Sequence, residues 1–379
     1  MLKLLKLAAL FLTLLPFAGQ SLASGELIVI GQVAPFSGPL APTGTHLRSG
    51  AQLYFDSINA SGGVNGRKIR LVTVDDGYQA SETVRQAKLL ISEEKPVALF
   101  GTVGTGNVEL LLSEKVLVNA GVPLVTVRTG GSALAKGNNP WLFITRASYA
   151  DEIAAFLELY SKHGYQNYAV LFQNDAFGLD VMSSVEELIG KHNGKIVVKA
   201  SYEKNTTEVA AAVKTIIRAL PQAVILIANT AAASEFIKQS REAGSLAMFY
   251  VMSTVDAAQL VQRIGNKLAY GTVITQVVPG PENGLVPIAR EVMDLFAKFK
   301  PVDVRPNHTF LEGYLGAKIL VEGLRRAGPN PTGKKLRDTL EQIKDYDAGG
   351  VSVNFSPSRH LGVDFVDINI IGRDGRLIR

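Results

Sequence analysis

Residues 98–112 read ALFGTVGTGNVELLL. An apolar run stops at Gly101. Gly101, Thr102, Gly104, Thr105 and Gly106 then crowd together before an aliphatic series resumes at helical spacing. A strand, a glycine-rich turn and a helix present N–H groups and hydroxyls to an anion at the helix N-terminus. A nucleotide loop of the type Gly-x-x-x-x-Gly-Lys-Ser/Thr requires a lysine after its second glycine. Gly101 and Gly106 hold that spacing, but Asn107 stands where the lysine is needed. A dinucleotide fingerprint requires Gly-x-Gly-x-x-Gly, and GTVGTG reverses that order. Two readings stay open on these residues. Thr105 caps its own helix, or the turn cradles a small anion such as a carboxylate.

Other constellations point away from catalysis. The chain has no cysteine and no Gly-x-Ser-x-Gly elbow. His46, His163, His192, His308 and His360 are scattered through polar stretches without a His-x-x-x-His pair. No metal site and no cofactor are expected. VDDGY (74–78) sets two acids after a strand without a partner motif, so they are expected to be solvated or capping acids. LFQNDAFGLD (171–180) sets Phe177 and Gly178 where a loop turns into a helix. Phe177 is either a wall of a ligand site or ordinary packing.

The elements that must position these residues alternate along the chain. LIVIGQV (27–33) is a β-branched run of the kind a buried parallel strand requires. Residues 47–60 place Leu47, Ala51, Tyr54, Phe55 and Ile58 on one helical face. Further strands are expected at KIRLVTVDD, PVALF and VPLVTV, with a single helix over NVELLLSEKVLVNAG. The alternation restarts after WLFITRASYADE, and long helical patterns follow at 286–299 and 309–327. Strands alternating with helices predict an α/β fold with parallel sheets. About four strand–helix units on each side of residues 140–150 are too many for one sheet, so two doubly wound lobes are expected. Ligands of such sheets bind beyond the carboxyl ends of the strands, here in the cleft between lobes.

Composition sets the outer bounds. The chain has 379 residues, of which 47% are hydrophobic and 19% charged. Its net charge is +5, and Lys3 and Lys6 supply two of those charges. The balance is too mild, and too unclustered, to predict nucleic-acid binding. The first 23 residues run from lysines through an apolar core to small residues, with Ser21 and Ala23 at a small-x-small site. They read as a cleaved signal peptide, because the core is shorter than the roughly 20 residues a membrane span needs. Export to the periplasm is expected, with no disulfide to support the fold.

Taken in order, GQVAPFSGPLAPTG, INASGGVNGRKI, the glycine-rich turn, FITRASYADE and LFQNDAFG resemble the periplasmic solute-binding proteins of ABC transporters. The resemblance is to the leucine/isoleucine/valine-binding, type I family, and it runs from about residue 26 to the C-terminus. It implies a hinge of three crossovers near 143–147, 275–279 and 352–356. The first lobe would then hold 24–145 and 278–355, and the second 146–277 and 356–379.

The resemblance also implies roles. A ligand carboxylate would meet the hydroxyls and amides of Thr102, Gly104 and Thr105, helped by Thr129 and Gly130 of the next loop. Phe177 would cover the ligand from the second lobe, and Tyr149 would line the cleft. Two positions depart from the family. Ser253 stands where an acid holds the ligand ammonium, with Asp256 the nearest acid, and Asn229 stands where a tyrosine is usual. A buried ammonium without a charged partner is costly. The ligand is therefore an amino acid held by Asp256, or an aromatic or short-chain carboxylic acid without the amine. The expected function is capture of a small carboxylate-bearing solute by a monomer that delivers it to an inner-membrane ABC permease. The alternative is a ligand-sensing partner of a membrane receptor such as a histidine kinase or cyclase. An enzyme is not expected.

Overall fold

The computed structural model describes residues 27–136, 139–301 and 304–378. The expected signal peptide, 1–23, lies outside the described residues. Two sheets organise the chain. In the first, β1 (Ile28–Ala34), β2 (Ile69–Asp75), β3 (Ala98–Phe100), β4 (Leu124–Val125) and β5 (Leu142–Phe143) run parallel in the order β2-β1-β3-β4-β5. Six of the seven β1 residues are buried, as a strand covered on both faces requires.

The second sheet takes β6 (Asn167–Gln173), β7 (Lys195–Tyr202), β8 (Ala223–Ile227), β9 (Met248–Val251) and β10 (Val273–Gln276), all parallel. A small hairpin follows, β11 (Tyr346–Asp347) with β12 (Ser352–Val353). Then β13 (Asp367–Ile371) and β14 (Leu377–Ile378) close the second sheet antiparallel, giving the order β14-β13-β10-β9-β8-β6-β7.

Helices cover both sheets. The first lobe carries α1 (Ala41–Ala60), α2 (Ala80–Glu94), α3 (Thr105–Ser113), α4 (Val116–Ala120) and α5 (Ser132–Lys136). The second carries α6 (Tyr149–Ser161), α7 (Ala176–Ile189), α8 (Ala210–Arg218), α9 (Thr230–Glu242) and α10 (Ala257–Ala269). The chain then returns. Helices α11 (Pro287–Phe299), α12 (His308–Ala327) and α13 (Gly333–Leu340) share one core with β1, β3 and β5. No helix among the described residues is long and apolar enough to cross a membrane.

The contact of α1 with α12 explains two glycines. A Cβ on Gly50 would stand 1.9 Å from the Phe310 carbonyl oxygen, and one on Gly313 would stand 2.0 Å from that of Leu47. Backbone meets backbone there, and the Tyr54 and Tyr314 rings close the gap edge-on at 5.0 Å.

Three crossings join the lobes. The first runs from β5 to α6 through Arg146, which is 1% exposed. The second leaves β10 at Gln276, and Val278 already packs in the first-lobe core. The third comes later than the 352–356 expected. Ile144 pairs with Leu361, His360 stacks on Phe143 at 4.2 Å, and Val363 packs in the first-lobe core. Residues 356–363 therefore belong with the first lobe, and the chain re-enters the second sheet at Asp367. The single helix expected over 107–121 is also broken. Lys115 has φ +55°, and the chain restarts as α4.

Candidate functional site

The carboxyl ends of both sets of strands face each other across a narrow cavity of about 30 Å³. Its first wall is the glycine-rich turn. Gly104 adopts φ +103°, a conformation that favours glycine, and forms the N-cap of α3. No side chain caps this helix. Thr105 therefore is not the cap, and its hydroxyl pairs instead with that of Thr129 at 2.7 Å. Gly104 and Thr105 both line the cavity. An uncapped helix N-terminus with a hydroxyl beside it is an anion-binding arrangement.

The neighbouring loop extends the sheet rather than wandering. Val103 bridges in parallel to Arg128, and the Arg128 N–H donates to the Thr102 carbonyl at 2.8 Å. This lacing carries the Arg128 side chain to the cavity floor. Arg128 donates to Glu312 of α12 and, at 2.8 Å, to the Ser253 carbonyl of the second lobe. Glu312 also accepts from Arg146 at 3.2 Å, and Arg146 reaches Glu152 of α6 at 2.9 Å. The chain Arg128–Glu312–Arg146–Glu152 balances two positive charges with two negative ones, all at 5% exposure or less. Burial works against the Arg146 charge, but Glu312 and Glu152 outweigh it and hold the guanidinium above its ordinary value. One buried network thus spans the floor of the cleft, the first crossing and the second lobe.

Tyr78 supplies an aromatic wall that the sequence reading did not single out. It adopts φ +62°, a strained conformation for a bulky residue. The two acids before it hold that turn. Asp75 accepts from the N–H groups of Phe36 and Gly77, at 2.7 and 2.9 Å. Asp76 accepts from the Tyr78 N–H at 2.9 Å and the Thr83 hydroxyl at 2.7 Å. Asp75 stays exposed, whereas Asp76 is 2% exposed and burial raises its pKa. Burial likewise pushes the Tyr78 phenol well up, keeping it a neutral hydroxyl.

The second lobe closes the cavity with Tyr149, Gln173, Phe177, Asn229 and Thr254. Tyr149 and Phe177 meet edge-on, centroids 5.3 Å apart. Asn229 caps α9, its oxygen accepting from the Ala232 N–H at 3.1 Å. Gln173 donates to Asp175 at 2.8 Å and accepts from the Tyr202 hydroxyl at 3.0 Å.

Five of the nine expected site residues thus reach the cavity: Gly104, Thr105, Tyr149, Phe177 and Asn229. Thr129 stands behind Thr105 and orients its hydroxyl. The Gly130 carbonyl accepts from the Tyr149 N–H at 2.8 Å, and a Cβ there would stand 2.8 Å from that nitrogen. Gly130 therefore permits the close approach that seats Tyr149. Thr102 is fully buried, and its hydroxyl has no hydrogen-bond partner. Ser253 is consumed by the hinge network. Its N–H and hydroxyl donate to Glu152, at 2.9 and 2.8 Å. Asp256 caps α10 and accepts from Asn307, so it does not face the cavity. Arg128, Tyr78 and Gln173 are among the lining residues that sequence reasoning passed over.

Direct contacts hold the lobes together across the cleft. Asp180 of α7 accepts from the N–H groups of Ser132 and Ala133, at 2.9 and 3.3 Å. Lys204 lies 3.9 Å from the Tyr78 ring centroid and donates to Asn107 at 3.2 Å. Burial lowers the Lys204 pKa. Among the described residues no group of three or more metal-ligating side chains gathers.

Comparison with known proteins agrees with this architecture. A model described as periplasmic binding protein matches residues 27–366. The chain is 27% identical over 325 residues to the Leu/Ile/Val-binding protein homolog 7 of Brucella suis biovar 1 (strain 1330), covering 82% of this chain and 79% of that protein. A substrate-binding periplasmic protein from Ralstonia solanacearum superposes with a TM-score of 0.89 at 36% identity, covering 93% and 99% of the two chains. A possible leucine/isoleucine/valine-binding protein from Rhodopirellula baltica SH 1 superposes with a TM-score of 0.88 at 27% identity, covering 94% and 97%. The match over residues 27–366 and these likenesses show that this chain belongs to the periplasmic binding protein family, in its type I, leucine/isoleucine/valine-binding branch.

Proposed function

We propose that the protein captures a small carboxylate-bearing solute in the cleft and delivers it to an inner-membrane ABC permease, performing no chemistry on it. The observation that carries this reading is the wall formed by Gly104 and Thr105. An uncapped helix N-terminus and a hydroxyl meet there at the edge of the interlobe cavity. Among the described residues Arg128 is the one charged side chain on the lining. The relatives named for leucine, isoleucine and valine support it, since each of those solutes carries a carboxylate. Export would be driven by the amino-terminal 23 residues, and the protein would act as a monomer. A ligand that touches both lobes favours the closed arrangement, which supplies the signal a membrane partner reads.

The reading is tested by a thermal-shift panel of amino acids, aromatic acids, short-chain acids, sugars and nucleotides. A carboxylate at a hundred times its dissociation constant stabilises by about 2.7 kcal/mol. A panel in which only sugars or nucleotides shift the melt contradicts the reading.

A further inference from the structure

We infer that the cleft selects carboxylic acids without an ammonium group, whose second polar group accepts hydrogen bonds, as the oxygen of a 2-oxo acid does. The inference rests on the carboxylate reading above and narrows it.

The polarity of the lining carries it. Among the described residues Arg128 is the only charged side chain that lines the cavity, and no carboxylate lines it. Four acids near it are committed elsewhere. Glu312 is held by Arg128 and Arg146. Asp175 accepts from the Gly178 N–H at 3.2 Å and from Gln173 at 2.8 Å, with Lys204 3.7 Å away. Asp76 is held by Tyr78 and Thr83, and Asp256 by Gln259 and Asn307.

The two side-chain amide oxygens are committed as well. The Asn229 oxygen is used in capping α9, and the Gln173 oxygen takes the Tyr202 hydroxyl. What remains toward the ligand is the Arg128 guanidinium, already paired with Glu312 and the Ser253 carbonyl, together with amide and hydroxyl groups, the hydroxyls able to donate or accept. An ammonium would enter this site without an anionic partner of its own, because Glu312 is already paired with Arg128 and Arg146, and that is costly in a buried place. An oxo, hydroxyl or second carboxylate oxygen meets donors instead. Tyr78, Tyr149, Phe177, Leu40 and Val103 enclose the apolar remainder of the molecule.

The test is calorimetric titration of two matched pairs, L-leucine against 4-methyl-2-oxopentanoate and L-phenylalanine against phenylpyruvate. Within each pair the two compounds differ only in whether the second carbon bears an ammonium or an oxo group. At least one oxo acid is expected to bind about a hundredfold or more tighter than its amino acid, the scale on which a buried polar mismatch discriminates. Equal or tighter binding of the amino acids overturns this inference and leaves the carboxylate reading standing. Binding by none of the four, with a sugar or nucleotide bound instead, overturns both. A double variant, Arg128→Met with Glu312→Gln, removes the cation together with its buried counter-charge. With its fold verified by circular dichroism and a cooperative melt, it is expected to lose at least tenfold of the oxo-acid preference. An unchanged preference in the folded double variant overturns the assignment to Arg128.

Discussion

The Arg146 guanidinium donates to the Glu152 carboxylate at 2.9 Å, with side chains 1% and 0% exposed. One residue lies on the first crossing and the other on the first helix of the second lobe. Glu152 also accepts from the Ser253 N–H and from the Thr275 hydroxyl, so four segments meet on one carboxylate. Removing one partner of such a pair leaves a buried charge uncompensated. Glu152→Ala is therefore expected to cost about 3–5 kcal/mol in urea unfolding. Adding Arg146→Leu should recover part of that loss. A single variant that costs less than about 1 kcal/mol contradicts a structural role for the network.

The two threonines of the turn separate by position. Thr105 faces the cavity, whereas Thr102 is buried off it with an unpartnered hydroxyl. Thr105→Val is expected to weaken the native carboxylate by about 1–3 kcal/mol, as for a lost hydrogen bond to a charged group. Thr102→Val should leave affinity within roughly 0.5 kcal/mol. Titration of both variants checks this, and a larger effect at Thr102 reverses the assignment.

Asp180 closes the mouth of the cleft by accepting from two N–H groups of the opposite lobe. Asp180→Ala removes those bonds without touching the cavity lining. It is expected to weaken binding by about 0.5–1.5 kcal/mol. The change should fall in the dissociation rate, with association little altered. Stopped-flow measurements that place the whole effect in association contradict the latch.

His308 opens α12, and burial depresses its pKa below the ordinary histidine value. Glu282, Asp256, Glu312 and Asp367 oppose the shift without reversing it. A depressed folded value contributes stability that is full above the unfolded pKa and is lost as pH falls through the folded one. Wild type should lose melting temperature on acidification below about pH 6.5. His308→Gln should show a smaller loss over the same window. Parallel pH profiles for the two proteins contradict this role.

The contact of α1 with α12 is equally testable. Gly50→Ala would drive a methyl to 1.9 Å from the Phe310 carbonyl oxygen, where only backbone can yield. Overpacking of this kind costs typically 1–3 kcal/mol, and a backbone obstacle places Gly50→Ala at about 2 kcal/mol or more. A melt equal to wild type shows that the helices move apart freely.

The lobes were legible because alternation of β-branched runs with amphipathic helices is a local signal. The glycine-rich turn was legible for the same reason, since residues 101–106 carry it alone. Arg128 was not. It is one arginine in VRTGG, and its partners Glu312 and Ser253 lie 184 and 125 residues away. Ser253 was assigned to the ligand because it stands where the family has an ammonium-binding acid, yet Glu152 claims it from a distant helix. The third crossing was placed at 352–356 by the resemblance alone, and residues 356–363 carry no local pattern to correct it. Their allegiance to the first lobe is decided by Phe143, which packs on Phe355 and His360.

The carboxylate reading rests on the turn at Gly104 and Thr105. Titrating the tightest acid from the panel against its own carboxamide keeps the shape and removes the charge. The acid should bind at least about 1–3 kcal/mol more tightly, and Thr105→Val should narrow the gap. Equal affinity for acid and amide, or a gap unchanged in Thr105→Val, contradicts it.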